Sequence, residues 1–181
     1  GGKTSGAVTV TNAIAISGTQ AEITAALVTT DTLVVAATAT VTSSDAMSVA
    51  EANAVDAKTS GVITATLDTG DTASYSTLTG TGNAYTVTVN DAGSTAITAT
   101  ALSTLGGKTT GTVTVSNAIA ISGTQAEVTA ALVTTDTLVV AGSATATISD
   151  ANTTAIDATA LSAIGGKTSG AVTVTNAIAI S

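Results

Sequence analysis

The chain repeats itself. Residues 1–17, GGKTSGAVTVTNAIAIS, recur letter for letter as residues 165–181. A near copy of Gly1–Ala36 runs from Gly106 to Ala141 and is identical at 32 of 36 positions, with exchanges at Ser5/Thr110, Ala7/Thr112, Thr11/Ser116 and Ile23/Val128. Repetition constrains the fold more than any single motif, because each copy must solve the same packing problem with the same side chains. Residues 1–164 read as one long tandem repeat, and residues 165–181 as the start of the next. Such a chain is expected to be a window on a longer array, and arrays build stalks and fibres more often than enzymes.

A finer repeat lies inside the long one. Its mark is a β-like run ending in Asn or Asp, at Asn12, Asp45, Asp91, Asn117, Asp150 and Asn176. The residue three before that position is always Thr: Thr9, Thr42, Thr88, Thr114, Thr147 and Thr173. The residues on either side of it are mostly Val or Ile, as in Val87-Thr88-Val89 and Val113-Thr114-Val115. A period of two indicates a strand with a buried Val face and an exposed Thr face. The Asn/Asp positions suit corners, since both residues tolerate left-handed backbone and bond their own backbone locally. The expected fold is a parallel β-solenoid of stacked coils of about 27 residues, six to the long repeat, with short helical segments on one side. In it the Asn/Asp residues form a corner ladder and the threonines an exposed ladder.

Helical signals follow the corners. Thr19-Gln20-Ala21-Glu22, Thr124-Gln125-Ala126-Glu127 and Ser48-Val49-Ala50-Glu51 have the form of capping boxes. Ile97, Ala101 and Leu105, and likewise Ile156, Ala160 and Ile164, are spaced by four, which predicts short helices there. Glycines then release the chain into the next strand. Each of the four lysines, Lys3, Lys58, Lys108 and Lys167, opens the same turn, Lys-Thr-Ser/Thr-Gly. The Gly-Lys-Thr letters match the end of a phosphate-binding loop, but the earlier glycine of that motif is replaced by Leu102 or Leu161. A turn lysine facing solvent is the expected role.

Composition limits function. The chain has no Pro, Cys or His, and its only aromatic residues are Tyr75 and Tyr85. Without His or Cys it lacks the commonest general base and all thiol chemistry. Scattered carboxylates give no sign of a pair across a cleft, so no enzyme activity and no cofactor are expected, beyond weak calcium binding at the Asp corners. A net charge of −8 argues against a nucleic-acid partner, and no apolar run is long enough for membrane insertion. Asp68–Ala84 breaks the pattern and is expected to protrude. Asn152-Thr153-Thr154 matches a glycosylation sequon.

The strand, Asn/Asp corner, short helix and Lys-Thr-Ser-Gly order is seen in ATISDANTTAIDATALSAIGGKTSGAVTV, within residues 144–174. It resembles the repeat regions of giant bacterial cell-surface proteins, including those of cyanobacteria. The resemblance covers essentially the whole chain and carries no catalytic residues. It implies an extracellular or cell-surface location and a structural filament or stalk whose partners are further copies of the chain, head to tail, joined covalently or not. The alternative is an adhesin or surface-binding module that presents its Thr-rich face to ice, glycan or a cell surface.

Overall fold

The structure, a computed structural model, describes residues 1–176 and 178–181. In chain order the elements are β1 (Val8–Thr9), β2 (Ala15–Gly18), α1 (Gln20–Leu27), β3 (Val34–Val35), β4 (Thr40–Ser43), α2 (Val49–Asp56), β5 (Ile63–Thr66), α3 (Thr72–Tyr75) and β6 (Ala84–Val89). There follow β7 (Ala96–Thr98), α4 (Ala99–Gly106), β8 (Val113–Val115), β9 (Ala120–Gly123), α5 (Gln125–Leu132), a 3-10 turn at Thr135–Thr137, and β10 (Val139–Val140). The last are β11 (Thr145–Ile148), β12 (Ala155–Ile156), α6 (Ala158–Gly165), β13 (Val172–Val174) and β14 (Ala179–Ile180).

This is a mixed α/β fold, and it overturns the expected β-solenoid and the filament of solenoid coils drawn from it. Helices hold about as many residues as strands, and they are not ornaments on a β core. Ile23 and Leu27 of α1, Ala52 and Val55 of α2, Leu102 and Leu105 of α4, and Val128, Ala131 and Leu132 of α5 are core residues, none more than 5% exposed. The strands lie in several parallel sheets. Parallel neighbours need long crossovers, usually helical, and a helix falls within each of the connections β2–β4, β4–β5, β7–β9, β9–β11 and β11–β13. The sequence reading erred because it counted strand markers and treated the capped segments between them as decoration.

The chain divides into two units. One comprises residues 1–68, 77–87 and 108–111; the other comprises 69–76, 88–107 and 112–181. In the first, β1 pairs with β3, and β2, β4, β5 and the start of β6 lie side by side in that order. Register places Ile16 opposite Val41, Val41 opposite Ile63, and Ala65 opposite Tyr85. In the second, β7, β9, β11 and β13 are neighbours in order, β8 pairs with β10, and β12 with β14. Ile97, Ile121, Ala146 and Val172 share one register line there.

Helix starts follow the local chemistry closely. Thr19, Ser48 and Thr124 are N-caps of complete capping boxes with Glu22, Glu51 and Glu127. Each of these helices has eight residues, too few to persist alone in water, so packing holds them. Ile97 and Ile156, expected in helices, lie in β7 and β12. The caps Thr98 and Asp157 set the boundary, because helix begins only after the capping residue.

Among the described residues one buried side-chain group is unsatisfied. Tyr85 is fully buried, and its hydroxyl makes no hydrogen bond to any described residue. Burial, and then the nearby Asp56 carboxylate, push its pKa well above the ordinary tyrosine value, and the Asn83 side chain, close by but not in hydrogen-bond geometry, offsets this only in part. A buried polar atom without a partner costs about 1–3 kcal/mol. Tyr85→Phe is therefore expected to stabilise the chain by about 1 kcal/mol, read as a higher urea midpoint at unchanged slope. A lower midpoint would show that the hydroxyl has a partner in solution.

Candidate functional site

The Lys-Thr-Ser/Thr-Gly turn is where repeated sequence meets repeated geometry. At its second copy, Thr59 Oγ1 donates to Ala39 O at 2.5 Å and accepts the Gly61 amide at 3.1 Å. Ser60 donates to Ala37 O from its amide at 2.8 Å and from its hydroxyl at 3.0 Å. At the third copy, Thr109 Oγ1 accepts the amides of Tyr85 at 2.7 Å and Gly111 at 2.9 Å. It faces the carbonyls of Tyr85 at 2.8 Å and Asn83 at 3.0 Å as donor. At the fourth copy, Thr168 Oγ1 donates to Ala144 O and accepts the Gly170 amide, while Ser169 bonds Gly142 O from both amide and hydroxyl.

The glycine of the turn is required by close approach. A Cβ on Gly61 would lie 2.2 Å from Ala39 O, on Gly111 2.3 Å from Tyr85 O, and on Gly170 2.2 Å from Ala144 O. The turn thus presses backbone against the backbone of an earlier segment, with the Thr hydroxyl joining the two. Thr59 and Thr109 are buried polar residues, each 8% exposed. The lysines take no part in this docking: Lys3, Lys58 and Lys167 are exposed and Lys108 half-buried. Sequence reasoning singled out the lysine and missed the threonine, whose partners in the earlier segment lie twenty or more residues away and leave no local spacing to detect.

The corner residues do more than turn the chain. Asp45 Oδ1 accepts the amide of Gln20, the first residue of α1, at 2.5 Å. Asp91 Oδ2 accepts the amide of Thr72 at the start of α3 at 2.8 Å, and Asp150 Oδ2 that of Gln125 at the start of α5 at 2.6 Å. A carboxylate there meets free amides and the positive end of the helix. Asn117 Nδ2 donates to Asp91 O at 2.8 Å, and Asn176 Nδ2 to Asp150 O at 2.5 Å. Asn12 lies exposed near the first strand. The recurrence of Gln20/Asp45 and Gln125/Asp150 at the same separation was the signal available in the sequence. Among the described residues no three acidic side chains converge in a way that would hold a metal ion.

Of the predicted threonine ladder, Thr9, Thr42 and Thr173 are exposed, while Thr88, Thr114 and Thr147 are half-buried. Thr147 lies opposite Thr173, whereas Thr9 faces Val35 and Thr114 faces Val140. Thr42 lies opposite Thr64. The segment expected to protrude is pinned at several points. The Asn53 side chain bonds Thr77 O and the Thr79 amide, each at 2.8 Å, and Asp56 accepts from Asn83 Nδ2 at 2.7 Å. In the other unit Tyr75 donates its hydroxyl to Thr88 O at 2.8 Å.

Three carboxylates at helix starts sit below their ordinary pKa. Glu22 is held down by the Thr19 amide and then its hydroxyl. Glu127 is held down by the Thr124 amide, then the hydroxyls of Thr124 and Thr100. Asp71 is held down by the Ser74 hydroxyl and then its amide. A carboxyl with a depressed folded-state pKa stabilises fully above its unfolded value, about 4. That contribution is lost as pH falls through the lower folded value. The thermal midpoint is therefore expected to hold from about pH 7 to 5 and fall below about pH 4. Glu127→Gln should lower the neutral midpoint and flatten the acid limb in calorimetry; an unaltered limb would remove Glu127 from this account.

Among the described residues no helix is long and apolar enough to cross a membrane. Compared with known proteins, the chain matches no family model, no curated protein and no solved structure.

Proposed function

We propose that this chain is a structural module that serves by joining end to end with further copies of its own repeat. The observation that supports this reading is the docking turn. In each of three copies the repeated Thr and Gly are used to seat one segment on the backbone of an earlier one. The corner carboxylates are likewise engaged with helix amides. The recurring chemistry of the repeat therefore goes into continuity between segments.

In a protein held together this way, stability contains a term for each interface between neighbouring repeats. A chain extended by a second 164-residue repeat should melt several degrees above the 181-residue chain, with one cooperative transition, in scanning calorimetry. Equal midpoints, with two independent transitions, would refute the structural reading.

A further inference from the structure

Residues 1–17 and 165–181 are identical in sequence but differ in surroundings. The later copy is docked. Besides the Thr168, Ser169 and Gly170 contacts, Thr175 Oγ1 donates to Ile148 O at 3.1 Å and Asn176 to Asp150 O at 2.5 Å. β13 runs in register with β11, and β14 with β12. In the first copy Thr4 Oγ1 accepts the amide of Gly6 at 3.1 Å, as Thr168 accepts that of Gly170, but among the described residues it has no counterpart of the Thr168 bond to Ala144 O. Val8, Val10 and Ile16 stay half-exposed and Ile14 is 38% exposed. Their counterparts in the internal copy, Val113, Val115, Ile121 and Ile119, are at most 5% exposed. β9 there has a strand on each side, β7 and β11, whereas β2 pairs with β4 alone among the described strands.

The surface that takes the later copy is also incompletely covered. Leu161 of α6 is half-exposed, while Leu102 at the same place in α4 is fully buried, with α5 packed against that helix. α1 has the sequence of α5 apart from Ile23 in place of Val128. It follows residues 1–17 directly, as α5 follows the internal copy.

We propose that residues 1–36 of a second copy of this chain displace residues 165–181 from β11, β12 and α6, so that copies associate head to tail. The incoming strands make the bonds that their identical twins make in the docked copy, so the exchange of strands is balanced. The incoming α1 then lies against α6 as α5 lies against α4, on the helix where Leu161 is half-exposed, and this extra apolar burial tips the exchange. The contact joins different surfaces on the two copies and is open-ended. It deepens the structural reading above and rests on that reading's docking role for the repeated turn.

Two glycines separate the outcomes. A Cβ on Gly6 meets only Thr4 Oγ1, at 3.8 Å, in its own chain. Docked where Gly170 now sits, the same Cβ would press on Ala144 O at about the 2.2 Å found for Gly170. The full chain, Gly6→Ala and Gly170→Ala are refolded together from urea over a range of concentrations, and their mass is measured by sedimentation. The parent chain should grow with concentration beyond monomer. Gly170→Ala, which loosens the resident segment, should reach half-association at a tenfold or more lower concentration. Gly6→Ala should keep the parent's circular dichroism and thermal midpoint and remain monomeric. Parent and Gly170→Ala monomeric throughout, or Gly6→Ala assembling like the parent, would overturn the proposal. The structural reading is judged apart from this, by the melting of the covalently extended chain.

Discussion

Gly111→Ala is expected to destabilise the chain by about 3 kcal/mol. The added Cβ would sit 2.3 Å from the carbonyl oxygen of Tyr85, with that residue's carbonyl carbon at 2.7 Å and its amide nitrogen at 3.2 Å. All three are backbone atoms of a strand whose side chain is fully buried, so nothing can rotate away. Relief requires the docking turn to lift off β6, which also stretches the Thr109 bonds to Tyr85 and Asn83. Gly61→Ala should behave alike, for its Cβ meets Ala39 O. Gly6→Ala is the internal control and should change stability by less than about 0.5 kcal/mol. Urea melts of the three variants decide the matter: a cost at Gly111 no greater than at Gly6 would mean the close approach does not exist in solution.

Thr109→Val is the second large effect, also about 3 kcal/mol. Valine keeps the shape and removes the oxygen. Two amides, of Tyr85 and Gly111, then lose their acceptor, and the carbonyl that took the hydroxyl proton loses a donor. Stranding buried backbone groups carries the desolvation cost of each, rather than the small net worth of a satisfied bond. Lys108→Ala, one residue earlier, should be nearly neutral, since the half-buried lysine has no part in the docking contacts. Denaturant melts should show a large loss for the threonine and little for the lysine. The reverse order would return the motif to its lysine and undo the docking account.

How much of this was legible follows from the range of each interaction. Capping boxes are local, and Thr19, Ser48 and Thr124 were readable as helix starts from four letters each. Strand alternation is local too, and Val87, Val89, Val113 and Val115 are buried on the face that period two assigned to them. Ile97 and Ile156 misled because a spacing of four extends equally well into the strand before a helix. The fold class was misread for a related reason. Whether a capped eight-residue segment decorates a sheet or fills the core depends on what Leu102 and Leu132 pack against, which no local pattern records. The carboxylates of Asp45 and Asp150 act on helices 25 residues earlier in the chain. Read singly they are turn residues; only the repeat of the same long spacing carries the second role.

The two tyrosines fall one to each unit, Tyr85 in the first and Tyr75 in the second, and the chain has no tryptophan. Intrinsic fluorescence therefore comes with a built-in label. One ring emits from a dry interior with its phenol unbonded, the other with its phenol tied to a carbonyl. In the Tyr85→Phe chain the remaining signal belongs to the second unit alone, so an optical melt and a calorimetric one that fail to coincide would reveal the units coming apart in succession.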